Sequence, residues 1–353
     1  MSVTMMNCIE REPEALARIL DEYPHTLAPL RERLAQGPVR RLLILATGSS
    51  MNAAQCAAFA FSQWAQVQIE IKEPYPFTHY ERVDEATDWI IALSQSGKSH
   101  STLAAQLKAQ AAGKKVCCMT SDASSPLARE ADAVLDINCG IEPVGFVTLG
   151  FSATVLNLLL VALTIGEAQG TLDAATRDSM LQSLRQLTEQ LPEVIRRTDA
   201  FITRHQAVLA AAPRYVAIGY GALAGVAKEF ETKFTETVRR PSSGFELEAY
   251  MHGPYLEANG EHLLLFIEDA PHPRLAALRD YMRPHVKAAF TLSAQGESSD
   301  NQLGLNFPLD HLLAPLLLIV PVQIMAYRVA ALKGINLSVR IFDDFDQVLK
   351  SKI

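Results

Sequence analysis

The sequence predicts an α/β protein with parallel sheets. Apolar, strand-like runs alternate with helical stretches along most of the chain, and such alternation is typical of strands joined by crossover helices. A length of 353 residues exceeds the usual size of one domain, so two domains are expected. The expected division is an N-terminal helical segment 1–40, a first α/β domain 41–170, a helical connector 171–205, a second α/β domain 206–336 and a C-terminal tail 337–353.

The first domain is predicted from one strand pattern that recurs. The run Arg41–Ala46 is apolar after its first residue, a turn of small polar residues follows it, and an alanine-rich helix then runs from Met51 to Gln63. Further strands are predicted at 67–72, 88–93, 115–120 and 133–138, with a helix at 102–112.

The second domain repeats the layout after a polar helical stretch without strand pattern. Strands are predicted at 214–221, 262–267 and 288–292, and a helix at 223–239. Two uncharged or nearly uncharged stretches, Phe146–Gly166 and Leu312–Ala331, approach the length needed to cross a bilayer. Because both contain polar residues and neither has an aromatic belt, we expect buried or interface helices and no membrane partner.

Composition excludes several classes of function. The net charge of -7 and the absence of a basic cluster argue against a nucleic-acid partner. Five scattered cysteines without C-x-x-C spacing, and no apolar leader at the N-terminus, predict a reduced, cytoplasmic protein. No grouping of histidines and cysteines has metal-ligand spacing, so neither a metal nor another cofactor is expected.

Two strand-to-helix turns carry the chemistry of an anion site. The first contains Gly48, Ser49 and Ser50, and the second runs from Ser94 to Ser99 and includes Gln95, Ser96 and Gly97. Small residues let backbone N–H groups converge at a helix N-terminus, and hydroxyls add further donors. Neither turn has nucleotide-binding spacing, so the phosphate of a small molecule is favoured. Serines that only cap helices are the alternative.

Two further groups of residues admit both a structural and a chemical interpretation. Glu229, Lys233 and Glu236 are spaced by four and three, so they share one helix face, which on spacing alone predicts a solvated ion-pair surface. His252 precedes Gly253-Pro254 and either stabilises a turn or acts as a general acid/base near neutral pH.

The order of these motifs resembles the sugar isomerase (SIS) family. Gly48-Ser49-Ser50, Ser94-Gln95-Ser96-Gly97, Lys233-Phe234-Thr235-Glu236 and His252-Gly253-Pro254 follow one another as in the isomerase half of glutamine–fructose-6-phosphate aminotransferase. Stand-alone fructoselysine and glucoselysine 6-phosphate deglycases are similar. Lys350 corresponds to a lysine near the end of that half, although Lys352 is also available.

The resemblance implies fold, partners and roles. It implies two SIS domains, each a five-stranded parallel sheet between helices, and a homodimer with a shared active site. A sugar 6-phosphate would bind the two turns and Lys233. Glu236 would move a proton between C1 and C2, His252 would open the sugar ring, and Lys350 would close the site. The implied phosphosugar-binding residues are Gly48, Ser49, Ser50, Ser94, Gln95, Ser96, Ser99 and Lys233.

The expected function is that of a phosphosugar-amine deglycase or isomerase. Only about 40 residues precede the isomerase-like region, so we expect no glutaminase part and a substrate that already carries its nitrogen. Three alternatives remain open at this stage. They are an aldose–ketose phosphosugar isomerase, a hexosamine 6-phosphate deaminase and a non-catalytic phosphosugar-binding regulator.

Overall fold

Two parallel sheets of five strands each form the framework of the protein, which confirms the predicted fold class. The structure, a computed structural model, describes residues 3–353, so the first two residues of the predicted N-terminal segment lie outside the described residues. The chain divides into two units. The first sheet unit is Glu14–Arg185 with Arg340–Ile353, and the second sheet unit is Gln186–Val339 with the described part of Met1–Pro13.

The sheet of the first unit has the order β2-β1-β3-β4-β5, with every neighbouring pair parallel. All side chains of β3 and β4 are buried, because helices cover both faces of a parallel sheet. The strands are β1 Arg41–Leu45, β2 Gln68–Lys72, β3 Trp89–Leu93, β4 Val116–Thr120 and β5 Ala133–Asp136.

The sheet of the second unit has the order β10-β9-β8-β6-β7. Read from β7, this is the same topology as in the first unit, with β6 in the place of β1. The two edge strands β7 and β10 are absent from the strands predicted in the sequence. The strands are β6 Arg214–Gly219, β7 Ser242–Glu246, β8 His262–Glu268, β9 Ala288–Ser293 and β10 Gln302–Gly304.

Helices connect the strands and flank both sheets. Most of the stretch predicted as a helical connector, 171–205, lies within one long helix, α9, which begins at Ala174. The helices are α1 Met5–Glu10, α2 Glu12–Thr26, α3 Ala28–Leu34, α4 Ser49–Ala65, α5 Pro74–Tyr80, α6 His100–Ala111, α7 Pro126–Glu130, α8 Leu149–Gln169, α9 Ala174–Ala211, α10 Leu223–Thr237, α11 Leu247–Met251, α12 Pro273–Met282, α13 Ala314–Leu332 and α14 Phe345–Leu349.

The two long apolar helices lie inside the protein. By length and composition both α8 and α13 could cross a membrane. However, the most apolar window is 100% buried in α8 and 78% buried in α13. Burial of this extent is typical of the core helices of a folded domain, which is the role predicted for them.

A buried histidine at the start of β8 makes the stability of the protein dependent on pH. Nδ1 of His262 lies 3.2 Å from Oδ1 of Asn259, and Nε2 is buried without a hydrogen-bond partner. Burial lowers the pKa of His262 below its ordinary value of 6.5. The folded state therefore holds a neutral imidazole, while the unfolded chain takes up a proton as the pH falls below 6.5.

We expect the stabilisation from His262 to be complete above pH 6.5 and to decrease as the pH falls below it. Urea unfolding at several pH values from roughly 7.5 down to roughly 5 measures how the free energy of unfolding depends on pH. His262→Leu should flatten the slope, whereas replacing the exposed His285 by Leu in the same unit should not. An unchanged slope in His262→Leu would contradict the assignment.

Candidate functional site

The first serine turn lies at the carboxyl end of β1. Gly48 has a positive φ of 57°, which glycine adopts readily, and α4 begins at the next residue, Ser49. Ser49 and Ser50 are half-buried and occupy the first turn of this 17-residue helix. Both hydroxyls therefore stand at the positive end of the helix dipole, where an anion is stabilised.

The second serine turn follows β3. Ser94 is buried and its carbonyl accepts the N–H of Gly97 at 2.9 Å, which closes a tight turn. Ser99 is the N-cap of α6, and its Oγ accepts the N–H of Thr102 at 3.4 Å and the Thr102 hydroxyl at 2.9 Å. Ser99 thus has the capping role that was the alternative interpretation, in addition to its position in the turn.

The second turn is fixed to the structure that follows β4. The carbonyl of Gly97 accepts the N–H of Leu127 at 3.2 Å. The carbonyl of Gln95 accepts the N–H of Ser121 at 2.9 Å and the hydroxyl of Thr120 at 3.2 Å. These bonds hold the backbone of the turn in place, and such preorganisation lowers the cost of binding wherever a turn serves as a binding site.

The sheet topology brings both turns to one crevice. β1 pairs with β2 on one side and with β3 on the other, so the strand order reverses between β1 and β3. Ligands of open α/β sheets bind at such a switch point, at the carboxyl ends of the strands. In the register of the two strands Leu45 lies opposite Ala92, so the two turns begin side by side.

Two residues beside the second turn were not predicted. The hydroxyl of Ser121 lies 3.5 Å from the side-chain nitrogen of Gln95 and 3.0 Å from the thiol of Cys139. Burial raises the pKa of the Cys139 thiol, so this group stays protonated at neutral pH. The hydroxyl pair Thr120-Ser121 at the end of β4 is the signal in the sequence that could have indicated them.

Glu142 has a structural role at the start of α8. Its carboxylate accepts the N–H of Thr148 at 3.0 Å, the Thr148 hydroxyl at 2.7 Å and the N–H of Gly150 at 3.0 Å. A carboxylate at a helix N-terminus satisfies amide groups that have no partner within the helix.

The C-terminal tail docks on the second turn. It adds a short antiparallel pairing to the residues that lead into α6, so the tail belongs to the same unit as the two serine turns. The contacts are the bridge between Ser99 and Lys352, the bond from His100 N–H to the Ser351 carbonyl at 3.2 Å, and the bond from Ile353 N–H to the Lys98 carbonyl at 3.0 Å.

The two lysines of the tail differ in their surroundings. Nζ of Lys352 lies 3.3 Å from the carboxylate of Asp346. Lys350 is exposed, adopts a left-handed conformation with φ of 52°, and forms no ion pair with any residue of 3–353. Lys350 is therefore the better candidate for contact with an anionic substrate.

Removal of the last five residues should lower activity. Truncation after Val348 deletes the pairing with the second turn and Lys350 together, so we expect activity on a phosphosugar substrate to fall at least about tenfold, the loss of one charge-assisted contact. The unfolding temperature should change little. Lys350→Ala and Lys352→Ala separate the two lysines, and a fully active truncated protein would remove the tail from the site.

The second unit holds a buried ammonium between two carboxylates. Lys233 on α10 is 1% exposed, and its Nζ lies 2.6 Å from Glu236 and 3.6 Å from Glu229. Glu229 is fully buried, so this helix face is not the solvated surface that the spacing alone predicts. Glu236 keeps a side chain that is 39% exposed, and it therefore presents a carboxylate to solvent while the buried ammonium orients it.

His252 is exposed and held in one orientation. Its Nδ1 lies 2.8 Å from the carbonyl oxygen of Glu248. Since a carbonyl can only accept, Nδ1 carries the proton and Nε2 of the neutral ring is left to accept one. The carboxylate of Glu248 is bound by the guanidinium of Arg274 at 2.5 and 2.9 Å, which fixes α11 against the start of α12.

The predicted site residues thus form two groups. Gly48, Ser49, Ser50, Ser94, Gln95, Ser96, Ser99 and Lys350 belong to the first sheet unit, whereas Lys233, Glu236 and His252 belong to the second. Among residues 3–353 no three His, Cys, Asp or Glu side chains are grouped as metal ligands.

Comparison with known proteins agrees with this layout. Residues 38–164 match the family model for the SIS domain. Glutamine–fructose-6-phosphate aminotransferase (isomerizing) of Corynebacterium glutamicum is 28% identical over 329 residues, which cover 90% of this chain and 52% of that protein. The chain spans about half the length of the curated relatives it matches.

Solved structures share the fold along nearly the whole chain. A candidate phosphosugar isomerase from Clostridium difficile 630 superposes with a TM-score of 0.91 at 21% identity, covering 99% of this chain and 98% of that one. The C-terminal domain of the Francisella tularensis glucosamine–fructose-6-phosphate aminotransferase gives a TM-score of 0.85 at 17% identity, covering 94% and 96%. Residues 38–164 therefore match the SIS domain, and the solved structures share the fold of both sheet units.

Proposed function

We propose that this chain is an enzyme that isomerises an amine-bearing sugar 6-phosphate and releases the amine and a hexose 6-phosphate. The observation that carries the proposal is the pair of serine turns at the switch point of the first sheet, where β1 and β3 deliver two helix N-termini to one crevice. The matches to the SIS domain and to an aminotransferase named as isomerizing support the same kind of reaction.

In this proposal the 6-phosphate binds at the two serine turns. Backbone N–H groups and hydroxyls donate to its oxygens, and the helix dipoles offset its negative charge. Lys233 orients the acid/base carboxylate of Glu236 and adds positive charge beside it. The proposed phosphosugar-binding residues are Gly48, Ser49, Ser50, Ser94, Gln95, Ser96, Ser99 and Lys233.

Two side chains of the second unit carry the proton transfers. Nε2 of His252 is suited to exchange a proton with the ring oxygen as the sugar opens, because Nδ1–H is already donated to a backbone carbonyl. Glu236 removes the proton from C1 of a ketosamine, and the resulting enaminol is protonated at C2. The product has a C=N bond at C1, to which water adds before the C–N bond breaks and the amine leaves. Proton transfer and hydrolysis require no cofactor.

The proposal extends to assembly and cellular compartment. We propose a homodimer in which the active site is shared between subunits and Lys350 contributes from the C-terminal tail. All five cysteines are buried and form no disulfide within residues 3–353, and a reducing, cytoplasmic environment suits such thiols. The two alternative reactions, aldose–ketose isomerisation and deamination of a hexosamine 6-phosphate, would use the same Glu236 and His252.

The decisive experiment is a substrate panel. The purified protein is incubated with fructoselysine, glucoselysine and glucosamine 6-phosphates and with fructose 6-phosphate, and products are identified by mass spectrometry. Release of a free amino acid and hexose 6-phosphate supports a deglycase, while ammonia from glucosamine 6-phosphate supports a deaminase. Ketose–aldose exchange without loss of nitrogen indicates an isomerase. Tight binding without turnover of any compound in the panel would contradict the proposed enzymatic activity and would indicate a phosphosugar-binding regulator.

A further inference from the structure

A second cavity with the chemistry of an anion site lies in the second sheet unit. It has a volume of 290 Å³ and opens beside the amino end of β9, among α9, the segment after α12 and the residue before β10. The charged, polar and aromatic residues that line the cavity are His205, Arg283, Lys287, Phe290 and Asn301. None of them belongs to the site proposed above.

The charge of this cavity is opposite to that of the chain. Arg283 and Lys287 line it and no carboxylate does, although the chain carries a net charge of -7. Arg283 shares only a loose surface pair with Asp280, at 3.5 Å with both side chains at least half exposed. Lys287 has no ion pair with a described residue of the chain. Two positive charges are therefore available to a ligand.

Aromatic rings pack together at the floor of the cavity. The ring of His205 contacts those of Phe201 and Phe290, with centroid separations of 4.5 and 4.7 Å, and the two phenylalanine rings lie 5.4 Å apart. Nε2 of His205 is buried without a hydrogen-bond partner. Burial lowers the pKa of His205, a backbone hydrogen bond from Asp300 and the charge of Asp300 oppose this, and the charge of Arg204 acts in the same direction as burial. The imidazole is thus neutral at neutral pH and can gain a charge only if a negative partner arrives.

The donors of the cavity suit a phosphate group. A guanidinium, an ammonium and the amide of Asn301 together offer more N–H donors than a carboxylate can accept, whereas a phosphate has three strongly accepting oxygens. The backbone carbonyl of Asn301 accepts the N–H of Thr291 at 2.9 Å, which fixes this residue to β9. The volume equals roughly ten water molecules, which leaves room for more than the phosphate itself.

We propose that this cavity binds the phosphate group of a small phosphorylated metabolite, with Arg283, Lys287 and Asn301 as its ligands and His205 beneath it. The bound phosphate dianion favours the imidazolium form of His205. The negative charge of Asp300 acts in the same direction, whereas the positive charges of Arg204, Arg283 and Lys287 oppose it. Binding therefore takes up a proton and strengthens as the pH falls.

Nuclear magnetic resonance of the histidine ring protons in the full-length protein tests this directly. The His205 signal is identified by its loss in His205→Phe, which keeps the aromatic stack. Titration with inorganic phosphate and, separately, with glucose 6-phosphate should move this signal and raise the pKa of His205. Sodium chloride at the same ionic strength should do neither. Stronger binding of glucose 6-phosphate than of inorganic phosphate indicates that the ligand is a phosphate ester, and equal binding indicates free phosphate. Either result supports the site.

Matched variants decide whether the effect belongs to the cavity. Lys287→Ala or Arg283→Ala should weaken phosphate binding at His205 about tenfold. Arg196→Ala removes an exposed positive charge from α9 and should leave it unchanged. Gly97→Ala, which disturbs the second serine turn of the other unit, should also leave it unchanged, so the result is independent of the proposed function. A His205 signal that does not respond to phosphate, or responds equally in Lys287→Ala, overturns the proposal.

Discussion

Glu236→Gln should lower turnover by about 10²- to 10⁴-fold, the usual contribution of a general acid/base. The amide is close in size to the carboxylate but cannot take a proton from C1. Lys233 stays paired with Glu229 at 3.6 Å, so the buried ammonium retains an opposite charge and the fold should persist. Phosphosugar affinity should stay within several-fold, because the phosphate is held by the serine turns. Steady-state kinetics and calorimetric titration measure the two effects separately.

The matched control for this variant lies on the same helix. Glu231 has a lysine partner three residues earlier, Lys228, and its side chain is 37% exposed, close to the 39% of Glu236. Glu231→Gln should keep full turnover, with at most a loss of stability because this carboxylate also accepts the N–H of Gly244 at 2.8 Å. If Glu236→Gln lost binding while turnover per bound substrate stayed intact, Glu236 would be a binding residue and the proposed proton transfer would be wrong.

Gly97→Ala should abolish phosphosugar binding at the second serine turn. An added Cβ would lie 2.0 Å from Oγ and 2.4 Å from Cβ of Ser125, and the φ of 64° is itself unfavourable for alanine. Left-handed strain and overpacking together cost about 2 to 5 kcal/mol, and the chain relieves this cost most easily by moving the turn. Binding of glucose 6-phosphate by calorimetry and thermal unfolding measure the outcome.

Two further variants separate crowding from strain. Gly113 also has a left-handed conformation, with φ of 81°, but an added Cβ would meet nothing within 4 Å. Gly113→Ala should therefore cost only the strain and leave binding intact. Adding Ser125→Gly to Gly97→Ala removes the closest obstruction and should recover part of the binding. Unchanged affinity in Gly97→Ala would show that the turn does not hold the phosphate.

Much of the fold is predictable from the sequence because the central strands have a recognisable composition. β1, β3 and β4 are short apolar runs bounded by turn residues, and burial on both faces requires that composition. The edge strand β7 has no such signal: its sequence Ser242-Ser243-Gly244-Phe245-Glu246 contains one aromatic residue, and it is a strand only because it pairs with β6. β10, three residues long, is undetectable for the same reason.

The candidate site divides along the same line. The serine turns are local features, in which residue type and position between a strand and a helix already specify the backbone, so the chain by itself determined them. The burial of Lys233 is different, because the spacing of Glu229, Lys233 and Glu236 is equally typical of a solvated surface. Only the packing of α10 against β6, β7 and α13 buries that ammonium and turns one carboxylate outward. Burial depends on contacts with residues that are distant in the sequence, so the local pattern of residues does not predict it.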